Sequence, residues 1–526
     1  MTVSPGIFWN SDVRRVKKMN EAGFIPMDTP LGKGNEAVFS KREKIFSFVA
    51  AALGFVFVKC FAAPFMINVR MGLGAAVFLI LTLIFTLVFK KGRKITPSKA
   101  LRTVLCIMFS ANIFISANFL IQSLCFIFAA MILVYDCLAD CDNRFDRIRK
   151  LFPADVLSAA FRPLSDMSAC PGAMKSAADK NNAGKTVKNA LLGLAIALPS
   201  TIIVGILLMS ADSGFADILT SITDGGLRSV LIFAAQAVIG LPVGFYIFAM
   251  CHAPNECDES SDEYFLERIA SVRFVPSGAA AFSAVPLCVM YVIFFFSQAS
   301  YFLSSFASRL PSDMASYSEY ARRGFFELCI VALINLAVII GINLFSKYGE
   351  DGKKSKFLKI MTVTLCIFTI LLIATAVSKM VMYISVYGLT RLRFYTSWFM
   401  LLLGVLFIGI IISVVCENFN LSKFAVTAFT VMFAVLSFSN ADRIIAEYNI
   451  GRYLDGTLPS ADITMFRELS ADAVPAAEKL RGHISQNEEE KLDEILESKL
   501  QEFHKADIRT FTVSELMAER CQSERL

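Results

Sequence analysis

Long apolar runs separated by short polar stretches fill the chain from Ile45 to Phe438. A run of about 18 or more apolar residues can cross a hydrocarbon core roughly 30 Å thick as an α-helix. The pattern predicts eleven such helices, near Ile45–Ile67, Gly72–Phe89, Thr103–Ala117, Leu120–Tyr135, Asn189–Met209, Leu227–Met250, Gly278–Phe302, Gly324–Phe345, Leu358–Met380, Thr396–Cys416 and Leu421–Phe438. Backbone polar groups in lipid must be satisfied within the protein, and the roughly ten-residue alternation of barrel strands is absent. The fold class expected is therefore all-α, a polytopic membrane helix bundle with a small helical C-terminal soluble segment.

Val104–Tyr135 is long for one crossing and short for two, and charge decides between them. Lys90, Lys91, Arg93, Lys94, Lys99 and Arg102 precede it; Arg144, Arg147, Arg149 and Lys150 follow. Basic loops stay cytoplasmic, so the segment crosses twice and turns at Ser116-Ala117-Asn118. The same rule places Lys353, Lys354, Lys356 and Lys359 inside and the acidic stretch from Asp212 to Asp224 outside. The chain divides into a polar basic N-terminal segment (1–43, cytoplasmic), a transmembrane domain (44–439) and an acidic segment (440–526). Eleven crossings put that last segment outside.

Composition sharpens this picture. The 526 residues are 56% hydrophobic and only 18% charged, below the roughly 25% of soluble domains. Net charge is +6, yet residues 1–439 carry 40 Lys and Arg against 27 Asp and Glu, while residues 440–526 carry 11 against 18. That division bears on orientation and predicts no nucleic-acid partner. Met1–Ser40 is polar, with Arg14, Arg15, Lys17 and Lys18, so the first apolar helix is expected to be its own insertion signal. Most of the 13 cysteines sit in or beside apolar segments, as small packing residues do. In the tail, Leu492, Ile495, Leu496, Leu500 and Phe503 form one helical stripe within Asn487–Phe503.

Three stretches rich in arginine and tyrosine meet at the predicted outer face: Tyr317–Arg323, Met382–Trp398 and Asn440–Tyr453. Arginine forks suit phosphate and carboxylate. Arg322, Arg323, Arg391, Arg393 and Arg452 are the candidates to contact an anion, with Tyr387 and Tyr448 orienting it. The ordinary alternative is an interfacial aromatic belt with arginines paired to Glu319, Glu327 or Asp442. Lys59 and Glu327 are the candidates for an intramembrane charge or ion pair, because a charge at depth costs about 2.5–3.5 kcal/mol on insertion scales. Lys59 either snorkels outward or pairs between helices, and Lys379 snorkels. Asn112, Gln122, Gln236, Gln298 and Asn335 are expected to make helix-to-helix hydrogen bonds. No HExxH, P-loop or GxSxG motif is present. The spacing of Cys137, Cys141, Cys251, His252 and Cys257 does not match common zinc patterns. Neither a metal nor a cofactor is predicted, and no residue is assigned to catalysis.

The words SEYARRGFFELCIVALINL, YGLTRLR and AEYNIGRYLDG, then LSADAVP and DIRTFTVSEL, resemble a bacterial family of multi-pass membrane proteins. That family is catalogued as a domain of unknown function, numbered 4173 and related to 4153. The resemblance implies a bacterial cell-membrane protein and supplies no reaction. It suggests motif positions at Tyr320, Arg322, Arg323, Glu327, Tyr387, Gly388, Arg391, Arg393, Tyr448, Asn449, Arg452 and Tyr453.

The leading expectation is a non-enzymatic integral membrane protein that binds, senses or moves an anionic lipid or cell-envelope precursor at its outer face. Its partners would be membrane lipids; no protein partner is specified. One alternative is an envelope transferase using a polyprenyl-phosphate donor, with its base drawn from Glu319, Glu327 or Asp442. Another is a signalling or scaffold protein acting through the acidic tail.

Overall fold

The computed structural model describes residues 39–61, 71–91, 95–141, 148, 152–178, 204–205, 207–212, 214–215, 226–252, 271–297, 317–347, 354–416, 418–504 and 507–523, with helix but not side chains at 141, 226–232, 234 and 317–324. The expectations for 1–38, Arg93, Lys94, Arg144, Arg147, Arg149, Lys150, Cys257, Gln298, Lys353 and most of Asn189–Met209 and Asp212–Asp224 lie outside the described residues. So do the side chains of Glu319, Tyr320, Arg322 and Arg323.

The membrane part is built from α1 (Lys41–Phe61), α2 (Leu73–Phe89), α3 (Pro97–Ile115), α4 (Phe119–Cys141), α7 (Gly226–His252), α8 (Ser277–Phe282), α9 (Val285–Ser297), α10 (Tyr317–Phe345), α11 (Lys356–Tyr387), α12 (Arg391–Val415) and α13 (Leu421–Phe438). Two shorter helices, α5 (Phe152–Ser165) and α6 (Ala169–Ala178), follow α4. The tail contributes α14 (Ala441–Leu454), α15 (Gln486–His504) and α16 (Val513–Ser523). Among the described residues nine helical segments are long and apolar enough to cross a membrane, and α2 is a shorter apolar helix. No strand forms among them; Val275 and Ser346 make an isolated bridge. The protein is an all-α, multi-pass membrane bundle.

Local chemistry sets the helix ends. Thr96 caps α3 by accepting from Lys99 N at 3.1 Å, with Pro97 in the first turn. Ser355, Thr390 and Asn420 cap α11, α12 and α13 in the same way. Two boundaries differ from expectation. Thr390 starts α12 at Arg391, so the link from α11 shrinks to Gly388-Leu389-Thr390 and both arginines of YGLTRLR enter the first turn. Helix α10 is described from Tyr317, so Arg322 and Arg323 lie within it rather than ahead of it. The predicted hairpin turn at Ser116-Ala117-Asn118 joins α3 to α4.

The first core packs α1–α4, α7 and α13 around Phe78, Phe109, Phe248 and Phe433. Helices α1 and α7 touch backbone to backbone: a Cβ on Gly54 would lie 1.9 Å from Gly240 O, and one on Gly244 would lie 2.5 Å from Ala50 O. Gly240 and Gly244 form a GxxxG word, and small residues at such spacing let membrane helices approach closely. A second core packs α9–α12 around Phe325, Leu365, Leu372 and Phe407. Asn335 crosses it, accepting from Tyr291 OH at 2.6 Å and donating to Thr369 Oγ1 at 2.9 Å. Large apolar side chains such as Ile360, Phe296 and Val435 point outward, as lipid-facing residues do.

The two ends of the bundle differ. At one, Lys99 Nζ reaches both Asp140 oxygens at 2.7 and 2.9 Å, Arg102 Nε reaches Asp136 Oδ1 at 2.7 Å, and Lys90 Nζ reaches Cys137 O at 2.6 Å. His252, closing α7, lies 3.1 Å from Glu43 at the same basic end. At the other end the tail folds over the helix turns. Its own core holds Ile445, Ile450, Phe466, Leu480, Leu492, Ile495 and Leu496, three of them from the predicted stripe.

Candidate functional site

At the tail end polar side chains converge from five separate stretches of chain. Asp442 stands in the first turn of α14, after Asn440 takes a left-handed conformation (φ 55°) that breaks the chain away from α13. Arg391 opens α12. Its Nε donates to Asp442 Oδ1 at 2.8 Å and its Nη2 donates to Oδ2. A cation at a helix N-terminus opposes the dipole; here the two-point carboxylate contact offsets it. Asp442 accepts two more bonds, from Asn118 Nδ2 and Ser470 N, both at 2.9 Å. Asn118 belongs to the α3–α4 turn, where its Oδ1 accepts from Leu120 N and Ile121 N, and its Nδ2 also reaches Tyr395 OH at 2.9 Å.

A second buried carboxylate lies beside the first. Asp472 accepts from Ser116 Oγ at 3.0 Å, Ala117 N at 3.2 Å and Ser470 Oγ at 2.9 Å, and it contacts Ser514 Oγ. Among the described residues no cation bonds to it. Burial pushes its pKa up, and the charge of Asp442 adds to that; the hydroxyls of Ser514, Ser470 and Ser116 oppose without prevailing, so Asp472 lies above the ordinary carboxylate range. The protonated form also fits the hydrogens. Ser514 has one hydroxyl hydrogen and lies 2.9 Å from Ile115 O. A protonated Asp472 donates to Ser514 Oγ, which then donates to that carbonyl. For Asp442 burial likewise pushes upward, but the bonds and charge of Arg391 and the bonds of Ser470 outweigh it, holding the group below its ordinary range.

Arg393 and Arg452 close the end of α11. A helix leaves its last carbonyls without intrahelical partners, and both arginines supply donors. Arg393 Nη1 bonds Gly388 O at 2.5 Å and Tyr387 O at 3.2 Å, with its guanidinium 4.0 Å from the Tyr383 ring centroid. Arg452 Nη1 bonds Ser385 O at 2.6 Å and its Nε bonds Thr457 Oγ1 at 3.0 Å, with the guanidinium 5.8 Å from the Tyr448 centroid. Gly388 makes the turn at φ 76°, where Asn449 clamps Leu389, accepting from its N and donating to its O at 2.7 Å each. Thus Arg391, Arg393 and Arg452 meet at one end with Tyr387 and Tyr448, each arginine holding an intramolecular partner. Nε and Nη2 of Arg393 make no hydrogen bond among the described residues. Tyr387 is 46% exposed, with its ring edge-on to that of Tyr383 at 5.1 Å.

The two candidate intramembrane charges lie apart. Lys59 is exposed in the last described turn of α1, and its carbonyl accepts from Arg509 Nη1 at 2.5 Å, which puts it at the tail end. Glu327 on α10 interacts electrostatically with the buried Lys379 of α11. Asn112 donates to Ser437 O at 2.7 Å, and Gln122 donates to Met71 O, Ile113 O and Ser116 O. Ser116, Asn118, Ser470, Asp472 and Ser514 carry the network although none is a site candidate by sequence. The available signal was Ser-Ala-Asn at a turn between spans and Ser-Ala-Asp in the quoted word LSADAVP. Among the described residues no three His, Cys, Asp or Glu side chains converge as metal ligands.

A family model described as a domain of unknown function, DUF4153, matches residues 103–480. The match runs from α3 to the end of the turn at Leu480 and takes in Asn118, Arg391, Asp442, Ser470 and Asp472, leaving Ser514 beyond it. The motif words lead to the expectation of family 4173 with 4153 as a relative; the family model that matches is 4153. No curated protein and no solved structure matches the chain. With most of its length matched, the chain belongs to the DUF4153 family of proteins.

Proposed function

We propose that the protein is an integral protein of a bacterial cell membrane that binds the phosphate-bearing headgroup of an anionic lipid or envelope precursor at its tail end. Arg393 is the contact residue, and Tyr387 and Tyr448 border the headgroup. Arg391 and Arg452 hold the frame, being committed to Asp442 and to the α11 carbonyls. In this reading the N-terminus is cytoplasmic and the tail extracytoplasmic. The supporting observation is Arg393: one nitrogen caps a helix, the ring of Tyr383 supports the guanidinium, and two donors remain beside an exposed tyrosine. Asp442 makes a poor general base for the transferase alternative, because it is buried and saturated by four donors.

Native mass spectrometry of the purified protein tests the proposal. Arg393→Gln is expected to reduce retained anionic lipid about tenfold, the loss of one charge-assisted contact. Melting followed by circular dichroism verifies that the variant is folded. Undiminished retention by the folded variant overturns the proposal.

A further inference from the structure

Helix α5 is too short to span a membrane, and it does not run alongside its neighbours. Its apolar contacts fall on Val134–Ala139 near the end of α4, and Ala160 O accepts from Tyr246 OH near the end of α7. It therefore crosses the basic end of the bundle.

At about 100° per residue, its side chains divide into three sectors. Asp155, Ala159 and Pro163 are buried against the bundle. On the opposite side Leu157, Phe161 and Leu164 are 60%, 64% and 51% exposed. Between these sectors lie Ser158, Arg162 and Ser165. A surface helix ordinarily has one apolar face; this one has two, and only the first meets the bundle. From Arg144 to Ser165 the chain carries five cations (Arg144, Arg147, Arg149, Lys150 and Arg162) against two acids. Arg162 also borders an apolar crevice lined by Val134, Leu138, Pro163 and Met250. An exposed apolar stripe flanked by Arg162 at the basic end of the bundle matches helices that lie in the headgroup–acyl boundary and attract anionic lipid.

We propose that α5 is an in-plane membrane helix that buries Leu157, Phe161 and Leu164 in the leaflet at the basic end and gathers anionic phospholipid there through Arg162. This second lipid contact is at the opposite end from Arg393 and shares no residue with it, so either proposal can fail alone.

The test uses the full chain reconstituted into vesicles of phosphatidylcholine with brominated acyl chains. Tryptophan is introduced singly as Leu157→Trp, Phe161→Trp or Ser158→Trp, and the emission of the parent, from Trp9 and Trp398, is subtracted. Bromine is expected to remove about half or more of the added emission at positions 157 and 161, and far less at 158. Mixing in phosphatidylglycerol is expected to deepen quenching at 161, and Arg162→Gln to reduce that increment. Equal quenching at 158 and 161, or none at either 157 or 161, overturns the in-plane placement. Quenching indifferent to phosphatidylglycerol overturns the anionic preference.

Discussion

Asp442 and Asp472 are bridged by one residue: Ser470 donates its N–H to the first and its hydroxyl to the second, each at 2.9 Å. The two carboxylates nevertheless sit in opposite electrostatic settings. Asp442 has Arg391, whereas Asp472 is bonded by hydroxyls and one backbone N–H. Through them the α3–α4 turn, the start of α12, α14 and the tail are tied into one unit. Removing either group therefore tests a different physical effect.

Asp442→Asn leaves a half-buried Arg391 without its carboxylate. Breaking one side of a buried ion pair costs about 3–5 kcal/mol, and solvent at the partly exposed Arg391 brings the expected loss to the lower end, about 3 kcal/mol. Denaturant unfolding in detergent micelles measures it. Arg391→Leu in the same chain is expected to restore part of the loss, since no charge is then stranded. A double variant as unstable as the sum of the two singles would show that the pair is not coupled.

Asp472 gives the pH dependence. Its folded pKa is raised, so its contribution is complete below about pH 4, where both states are protonated. As pH rises toward the raised folded value, the unfolded chain ionises first and stability is lost. Asp442 behaves oppositely: its lowered folded pKa gives a contribution present above about pH 4 and lost as pH falls through the folded value. Asp472→Asn should remove the first slope, so the parent's melting temperature falls relative to the variant's as pH rises from acid to neutral. Parallel pH profiles would mean that folding does not raise the pKa of Asp472.

The helical spans were legible because a lipid-facing helix must be apolar over its whole length; Leu421–Phe438 is a run that needs no tertiary information. The α3–α4 turn was legible from the charge on its two flanks. Helix α5 was not, because its 14 residues mix buried and exposed apolar positions and never form a long run. The approach of Arg391, Arg393 and Arg452 to Tyr387 and Tyr448 was legible from residue types in two of the three stretches. The pairing within the site was not, since Asp442 is 51 residues from Arg391 and Asp472 is 356 from Ser116. Only the fold says which acid takes the cation and which keeps company with serines.

The α1–α7 contact predicts an unusual intolerance of small additions. A Cβ on Gly54 would meet the Gly240 carbonyl rather than a side chain able to move aside. Gly54→Ala must push the helices apart and forfeit close packing along the seam, at a cost of about 1–3 kcal/mol. Gly205→Ala, where nothing lies within 4 Å, is the matched control and should leave the unfolding midpoint nearly unchanged. Equal effects at the two positions would refute the close-packed seam.

Cys416 and Cys521 offer the direct test of sidedness. Cys416 is exposed just beyond α12, and Asn420 four residues later donates to Ile148 O at 2.9 Å beside the basic end. Cys521 is partly exposed in α16, whose Ser514 belongs to the tail network at the other end. Two thiols on opposite ends of one bundle cannot both face the same solution if the bundle spans a bilayer. In right-side-out cells, an impermeant maleimide is expected to label a chain retaining only Cys521 and to spare one retaining only Cys416 until the membrane is opened. The reverse pattern would put the tail in the cytoplasm, as an even number of crossings requires. It would also move the Arg393 rim to the inner leaflet and leave the ion pairs of Asp442 unchanged, separating where the protein faces from how it is held together.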